Sequence, residues 1–155
     1  MKKFRLLLAF LPFTFISGCL KDKSCSSKSA DSELPQIQAF AAYNGITTTA
    51  HSSGLHYEIL NQGNGSTANA NSKIVITYTG KLMNGTVFDE KLTPNAEPWT
   101  LSGLIQGWVI GIPLIREGGH IKLIVPSSLG YGCEQYYAIP GNSVLYFDIH
   151  LIDVQ

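Results

Sequence analysis

The stretch KIVITYTGKLMNGTVFDE, residues 73–90, constrains this chain more than any other. It holds an apolar run, the dipeptide Asn84-Gly85, and a second short run in which Val87 and Phe88 lead into Asp89 and Glu90. Asn-Gly between two such runs is a strong hairpin signal, because a two-residue turn of the favoured kind needs a positive φ at both central positions. The chain is therefore committed to antiparallel pairing here. The adjacent carboxylates admit three readings: an acid/base pair for hydrolysis, a metal site, or the solvated end of an ordinary hairpin.

Other segments pair naturally with this hairpin. GLHYEIL alternates Leu55, Tyr57 and Ile59 against His56 and Glu58, the pattern of a half-buried strand. HIKLIVP and SVLYFDIHLIDV are two more strands, and in the second Leu145, Phe147, Ile149 and Leu151 share one face. GWVIGIPLIREGG puts Trp108, Ile112 and Ile115 on one face of a short helix, which Pro113 should end or kink for want of an N–H. NQGNGSTANANS is a loop. With 155 residues, 45% hydrophobic and 14% charged, the chain has the size of about one domain and the means to bury a core. About five antiparallel strands and one short helix make the class α+β.

The N-terminal third reads differently. MKKFR, the apolar run LLLAFLPFTFI and SGC form a basic, then hydrophobic, then small-residue series, as in a secretory signal peptide over residues 1–18. The apolar run falls far short of the roughly 20 residues that span a bilayer. ISGC resembles a bacterial lipobox, which would make Cys19 the lipidated first residue; the alternative is an ordinary cleavage site beside a chance cysteine. Residues 19–32 are Ser-rich and without hydrophobic period, a flexible tether. Leu34, Ile37, Phe40 and Ala41 then fall at helical spacing, ended by Asn44-Gly45, which gives an accessory helix over 33–45 and a main domain over 46–155. Losing Lys2, Lys3 and Arg5 with the signal would leave 8 of the 11 basic residues against 11 acidic, a net charge of −3.

Most familiar chemistries find no support. His51, His56, His120 and His150 form no HExxH pattern and the cysteines are not clustered, so no metal site and no cofactor is expected. No GxSxG elbow precedes a helix, and Gly63 and Gly65 lack the lysine of a phosphate loop. Cys133 has no nameable histidine partner and reads as a structural or loop cysteine. Cys25 and Cys133 are able to pair in an oxidising envelope, but Cys25 lies in the tether, which weighs against a structural disulfide. Beyond the first five residues no basic run appears, so nucleic acid is not an expected partner. What remains is aromatic: Tyr78, Phe88, Trp99, Trp108, Tyr131 and Phe147 are spread over nearly every element, and one concave sheet could gather them around a pocket.

VITYTGKLMNGTVFD, followed in order by LIQGW, PLIREGGHIKLIVPSSLGYG and AIPGNSVLYFDIHLI, resembles the FKBP-type peptidyl-prolyl isomerases over about residues 54–153. The signal peptide, lipobox and helical lead-in are similar to those of exported bacterial members. The resemblance implies a strongly bent antiparallel sheet wrapped around one short helix, with an apolar pocket between them. It implies rotation of X–Pro bonds in exported, proline-containing polypeptides, macrolide inhibitor binding, and a lipid-anchored domain in the periplasm or at the cell surface. A non-catalytic holdase on the same fold is the alternative.

Carried over by motif, Tyr78 and Phe88 line one wall beside Asp89, and Trp108 forms the floor. Ile105, preceded by Leu104, offers a backbone N–H. Tyr131 and Ile139 come from the long loop before the last strand, and Phe147 from that strand. Trp99 stands near a family Phe with its register open by about two residues. Three departures bear on substrate choice: Gly141 replaces a common proline and should loosen the loop tip, CEQYY is one residue short and carries Tyr136 and Tyr137, and Trp99 adds bulk if it faces the pocket. Side chains alternate along a strand, so Asp89 and Glu90 should not act together. For Phe88 and Asp89 both to reach the pocket, a twist or bulge is needed there.

Overall fold

A computed structural model describes residues 25–155. The expected signal peptide 1–18, Cys19 and the tether up to residue 24 lie outside the described residues.

The elements are α1 (Ala30–Tyr43), β1 (Thr49–Ala50), β2 (His56–Asn61), β3 (Lys73–Leu82), β4 (Val87–Lys91), β5 (Trp99–Thr100), α2 (Gln106–Gly111), β6 (His120–Val125) and β7 (Leu145–Val154). The strands form one seven-stranded antiparallel sheet in the order β1-β2-β6-β7-β3-β4, with β5 paired to β3. The expected hairpin is β3–β4. The two strands beyond the expected five are the two-residue pairings β1 and β5, too short for any periodicity to mark.

Alternation along β6 and β7 gives the sheet two packed faces. Ile121, Leu123, Val125, Leu145, Phe147, Ile149 and Leu151 join Ile74, Ile76 and Tyr78 in the main core, against Trp108, Ile112 and Ile115 from the α2 segment. These three residues do share a buried face. The α-helix stops at Gly111, and Pro113 lies in the tighter turn Ile112–Leu114 that follows. The opposite register, Ile124, Val144 and Tyr146, packs against Ile37, Phe40 and Ala41 of α1. Along β2 the alternation is incomplete: Leu55 and Tyr57 pack on the core, whereas Ile59 is exposed near the sheet edge.

The lead-in segment differs from its reading as a flexible tether. α1 begins at Ala30, three residues before 33, because Ser29 caps it by accepting the Ser32 N–H at 3.3 Å. Asp31 and Glu33 add negative charge to the first turn, and Gly45, at φ 64°, follows its end. Before the helix, Cys25 is disulfide-bonded to Cys133 with a Cα–Cα distance of 5.5 Å. The Asn142 side chain accepts the Lys28 N–H at 3.1 Å and donates to the Ser26 carbonyl at 3.0 Å. Within α1 the buried Glu33 carboxylate accepts the Ser127 N–H at 2.8 Å. Ser127, Cys133 and Asn142 all belong to the long connection between β6 and β7, so the segment laces that loop to α1.

The disulfide closes a loop with a sequence separation of 108 residues. A cross-link of that length removes much of the unfolded chain's freedom, so Cys25→Ser with Cys133→Ser should lower folding stability by about 2–5 kcal/mol. Urea unfolding of the two forms checks this, and coincident midpoints would contradict a structural role for the bridge.

Candidate functional site

α2 and the concave side of the sheet do not close on each other completely. Between them opens a cleft of about 640 Å³, lined by Tyr78, Asp89, Pro98, Trp99, Thr100, Gly103, Leu104, Ile105, Trp108, Tyr131, Tyr136 and Phe147. Its floor is aromatic. The Trp108 ring stands edge-on to Tyr78 at 4.9 Å and to Phe147 at 5.1 Å between centroids, and Tyr78 lies 6.4 Å from Phe147. Perpendicular packing sets the positive edge of one ring against the negative face of the next, which fixes their orientation as well as burying area. The Trp108 indole N–H is buried and meets no hydrogen-bond partner among the described residues.

The wall at β4 depends on a bulge. Gly80 pairs with Asp89 and Lys81 with Val87, so Phe88 is the extra residue in the ladder. The skipped position breaks the alternation and lets consecutive side chains reach the same side. Asp89 accepts the Tyr78 hydroxyl at 2.5 Å, while Phe88 stands edge-on to Phe147 at 5.6 Å. Gly80 makes room for this arrangement: a Cβ there would stand 2.8 Å from the Phe88 ring and 3.0 Å from that of Phe147. Phe88 therefore buttresses Phe147 from outside the lining, whereas Asp89 sits at the mouth. Glu90, one residue on, is exposed and outside the lining.

The remaining walls come from the start of α2, the short strand β5 and the β6–β7 connection. Ile105 caps the N-terminus of α2, where the first N–H groups have no partner within the helix. Trp99, whose register was open, faces the cleft, 6.3 Å from Tyr78 in an edge arrangement, because β5 pairs it opposite Ile74. Tyr131 and Tyr136 stack in parallel at 4.3 Å. Besides Phe88, two further expected members do not line the cleft. Ile139 is buried behind it, in backbone hydrogen bonds with Tyr136, and Tyr137 at the tip of that turn is 84% exposed with φ 48°. Gly141 sits where the loop passes close to Cys133. A Cβ there would collide with the Cys133 carbonyl, so its missing side chain lets the loop close down beside the disulfide. Pro98, Thr100 and Gly103 were not anticipated; only their adjacency to Trp99 and Leu104 could have pointed to them.

The site holds polar groups whose protons stay put near neutral pH. Burial first, then the Asp89 hydrogen bond and charge, hold the Tyr78 hydroxyl far above the usual tyrosine range. Burial, with Tyr136 and Asp89 nearby, raises Tyr131 as well. The cleft thus presents apolar surface, fixed neutral hydroxyls and one carboxylate engaged by a tyrosine. That set suits binding and orienting an apolar ring with its flanking carbonyls, rather than proton transfer between paired carboxylates.

Residues 64–152 match the family model described as FKBP-type peptidyl-prolyl cis-trans isomerase. The chain is 38% identical over 120 residues to the FKBP-type peptidyl-prolyl cis-trans isomerase FkpA of Escherichia coli K12, covering 76% of this chain and 43% of that protein. It is 38% identical over 132 residues to a probable FKBP-type peptidyl-prolyl cis-trans isomerase of Haemophilus influenzae, covering 83% of this chain and 54% of that protein. The chain therefore spans about half the length of these curated relatives. The crystal structure of FkpA from Escherichia coli superposes with a TM-score of 0.72 at 33% identity, covering 82% of this chain and 61% of the other. A peptidyl-prolyl cis-trans isomerase from Pseudomonas syringae pv. tomato superposes with a TM-score of 0.68 at 26% identity, covering 84% and 98%.

The tyrosine environment has a consequence for stability. An unfolded tyrosine loses its proton near pH 10, whereas Tyr78, and Tyr146 beside Asp148, keep theirs in the folded chain. Their contribution is complete below about pH 10 and falls as pH rises beyond it, because only the unfolded state then releases these protons. The urea midpoint should drop between pH 9 and pH 11, and Tyr78→Phe should flatten that drop. An unchanged slope in the variant would contradict the linkage.

Proposed function

This chain belongs to the FKBP-type peptidyl-prolyl cis-trans isomerase family, and from that premise we propose that it catalyses rotation about X–Pro bonds in exported polypeptides. The observation that carries the reading is the aromatic floor of Tyr78, Trp108 and Phe147, with Ile105 and Tyr131 lining the same cleft.

Amide resonance sets the barrier to rotation at about 18–20 kcal/mol, and the uncatalysed exchange takes tens of seconds or more. The planar amide carries more charge separation than the twisted one. An apolar, water-poor cleft therefore disfavours the planar ground state relative to the twisted transition state. In this reading the proline ring sits on Trp108, between Tyr78 and Phe147. Phe88 holds Phe147 in place, and Asp89 holds the Tyr78 hydroxyl and so fixes the tilt of its ring. The Ile105 N–H and the Tyr131 hydroxyl donate to substrate carbonyls on either side. Leu104, Trp99 and Tyr136 contact the flanking residues. No covalent bond breaks and no proton moves. Lowering the barrier by about 5–7 kcal/mol accelerates exchange by roughly 10⁴–10⁵-fold, within reach of orientation and desolvation. Macrolide inhibitors of the family would occupy the same cleft.

The cell envelope is the proposed location. The Cys25–Cys133 disulfide supports an oxidising compartment, as does the signal-like start of the sequence. Lipidation at Cys19 would tether the domain to a membrane surface through acyl chains. On this account Cys19→Ser shifts the protein from the membrane fraction to the soluble one; an unchanged distribution would count against the anchor.

In a proline-peptide isomerisation assay the wild type should accelerate exchange, and Phe147→Ala should reduce kcat/KM by about 10²-fold, as misplacement of a positioned group does. Asp89→Val should act in the same direction, with both variants folded by urea titration. The exposed Tyr137 and the half-exposed Tyr136 favour one added behaviour, the holding of unfolded chains. Suppressed aggregation that survives Phe147→Ala but fails in Tyr136→Ala/Tyr137→Ala would assign it to the loop. Wild-type protein without any acceleration would overturn the isomerase reading and leave the holdase.

A further inference from the structure

β6 and β7 carry a second constellation on the face of the sheet turned away from the cleft. Their register sets His120 directly opposite His150 and Lys122 opposite Asp148. Inward neighbours Ile121 and Ile149 are fully buried, so the alternation sends both histidines and the aspartate outward together. α1 covers this face only farther along, at Ile124 and Tyr146, and the histidines lie beyond its reach.

The imidazole rings of His120 and His150 stack with centroids 3.7 Å apart, and His120 Nε2 lies 2.6 Å from Asp148 Oδ1. The other carboxylate oxygen of Asp148 accepts the buried Tyr146 hydroxyl at 3.4 Å. One donor atom from each of His120, Asp148 and His150 falls within 4.8 Å of the others.

We propose that His120, Asp148 and His150 form a surface site for a divalent transition-metal ion of the zinc, nickel or copper class. Two imidazoles and a carboxylate suit these borderline ions rather than magnesium or calcium, which prefer all-oxygen shells. Metal–ligand bonds of about 2.0–2.2 Å require donor pairs some 3–4 Å apart. The exposed His150 ring has only to turn, while His120 and Asp148 separate by roughly 1 Å as the ion takes the place of their shared proton. His120 then carries its ring proton on Nδ1. Tyr146 supplies the outer hydrogen bond that orients a ligating carboxylate, a feature characteristic of built metal sites. Solvent fills the remaining coordination positions. A simple cross-strand ion pair explains the His120–Asp148 contact alone; it gives no role to His150, held over His120 on the adjoining strand.

Calorimetric titration of tag-free protein with Zn²⁺ tests the site independently of any isomerase activity. One equivalent should bind saturably, and His120→Gln, His150→Gln and Asp148→Asn should each weaken binding at least tenfold. Tyr146→Phe should weaken it less. His150 is exposed, so its variant is expected to fold, and unfolding curves without metal check all four. Absence of saturable binding in the wild type, or binding unchanged in folded His150→Gln, would overturn the proposal and leave a cross-strand ion pair.

Discussion

The edge-on seating of Trp108 against Tyr78 and Phe147 is the contact on which both the fold and the site depend. It joins α2 to the sheet, and it is also the floor of the cleft, so the core and the candidate site are continuous. The arrangement needs the β3–β7 register that pairs Gly80 with Phe147 and Tyr78 with Ile149. A slip of one residue would turn every side chain to the opposite face and send Tyr78 or Phe147 toward α1. Burial of Leu145, Phe147, Ile149 and Leu151 on one side and Tyr146 on the other fixes that register. Stability and site geometry are thus set by the same choice.

Around this floor the walls come from other elements. Ile105 caps α2 and Trp99 sits in the short strand β5, whereas Tyr131 and Tyr136 ride on the long β6–β7 connection. That connection is held by the Cys25–Cys133 bridge, Asn142 and the buried Glu33 carboxylate. The lead-in is therefore part of the domain that carries the cleft. β7 serves two ends at once: Phe147 faces the cleft, and Asp148 and His150 project from the other side.

Much of this was legible in the sequence, for identifiable reasons. The β3–β4 hairpin was readable because Asn84-Gly85 marks a turn, although only Gly85 takes a positive φ and four residues join the strands, and the β7 face because its alternation runs unbroken. The bulge at Phe88 could be expected from the demand that Phe88 and Asp89 reach one side. β1 and β5 were not legible, since two-residue pairings carry no period. The lacing of residues 25–28 escaped because a Ser-rich segment signals no burial, and its order comes from partners more than a hundred residues away. The space that Gly141 leaves beside Cys133 was not legible either, because it comes from a contact within the folded loop. The His120–His150 pairing lies in strand register, which spacing along the chain does not reveal.

Exchange NMR on a proline tetrapeptide, with the protein present in catalytic amount, tests the central claim most directly. The account predicts cis–trans exchange cross-peaks that grow with protein concentration, accompanied, at higher protein concentration, by shifts at the cleft residues, the indoles of Trp99 and Trp108, the rings of Tyr78, Tyr131 and Phe147 and the Ile105 amide among them. Peptide that binds and shifts those resonances without any gain in exchange would contradict it, leaving the cleft a binding site and nothing more.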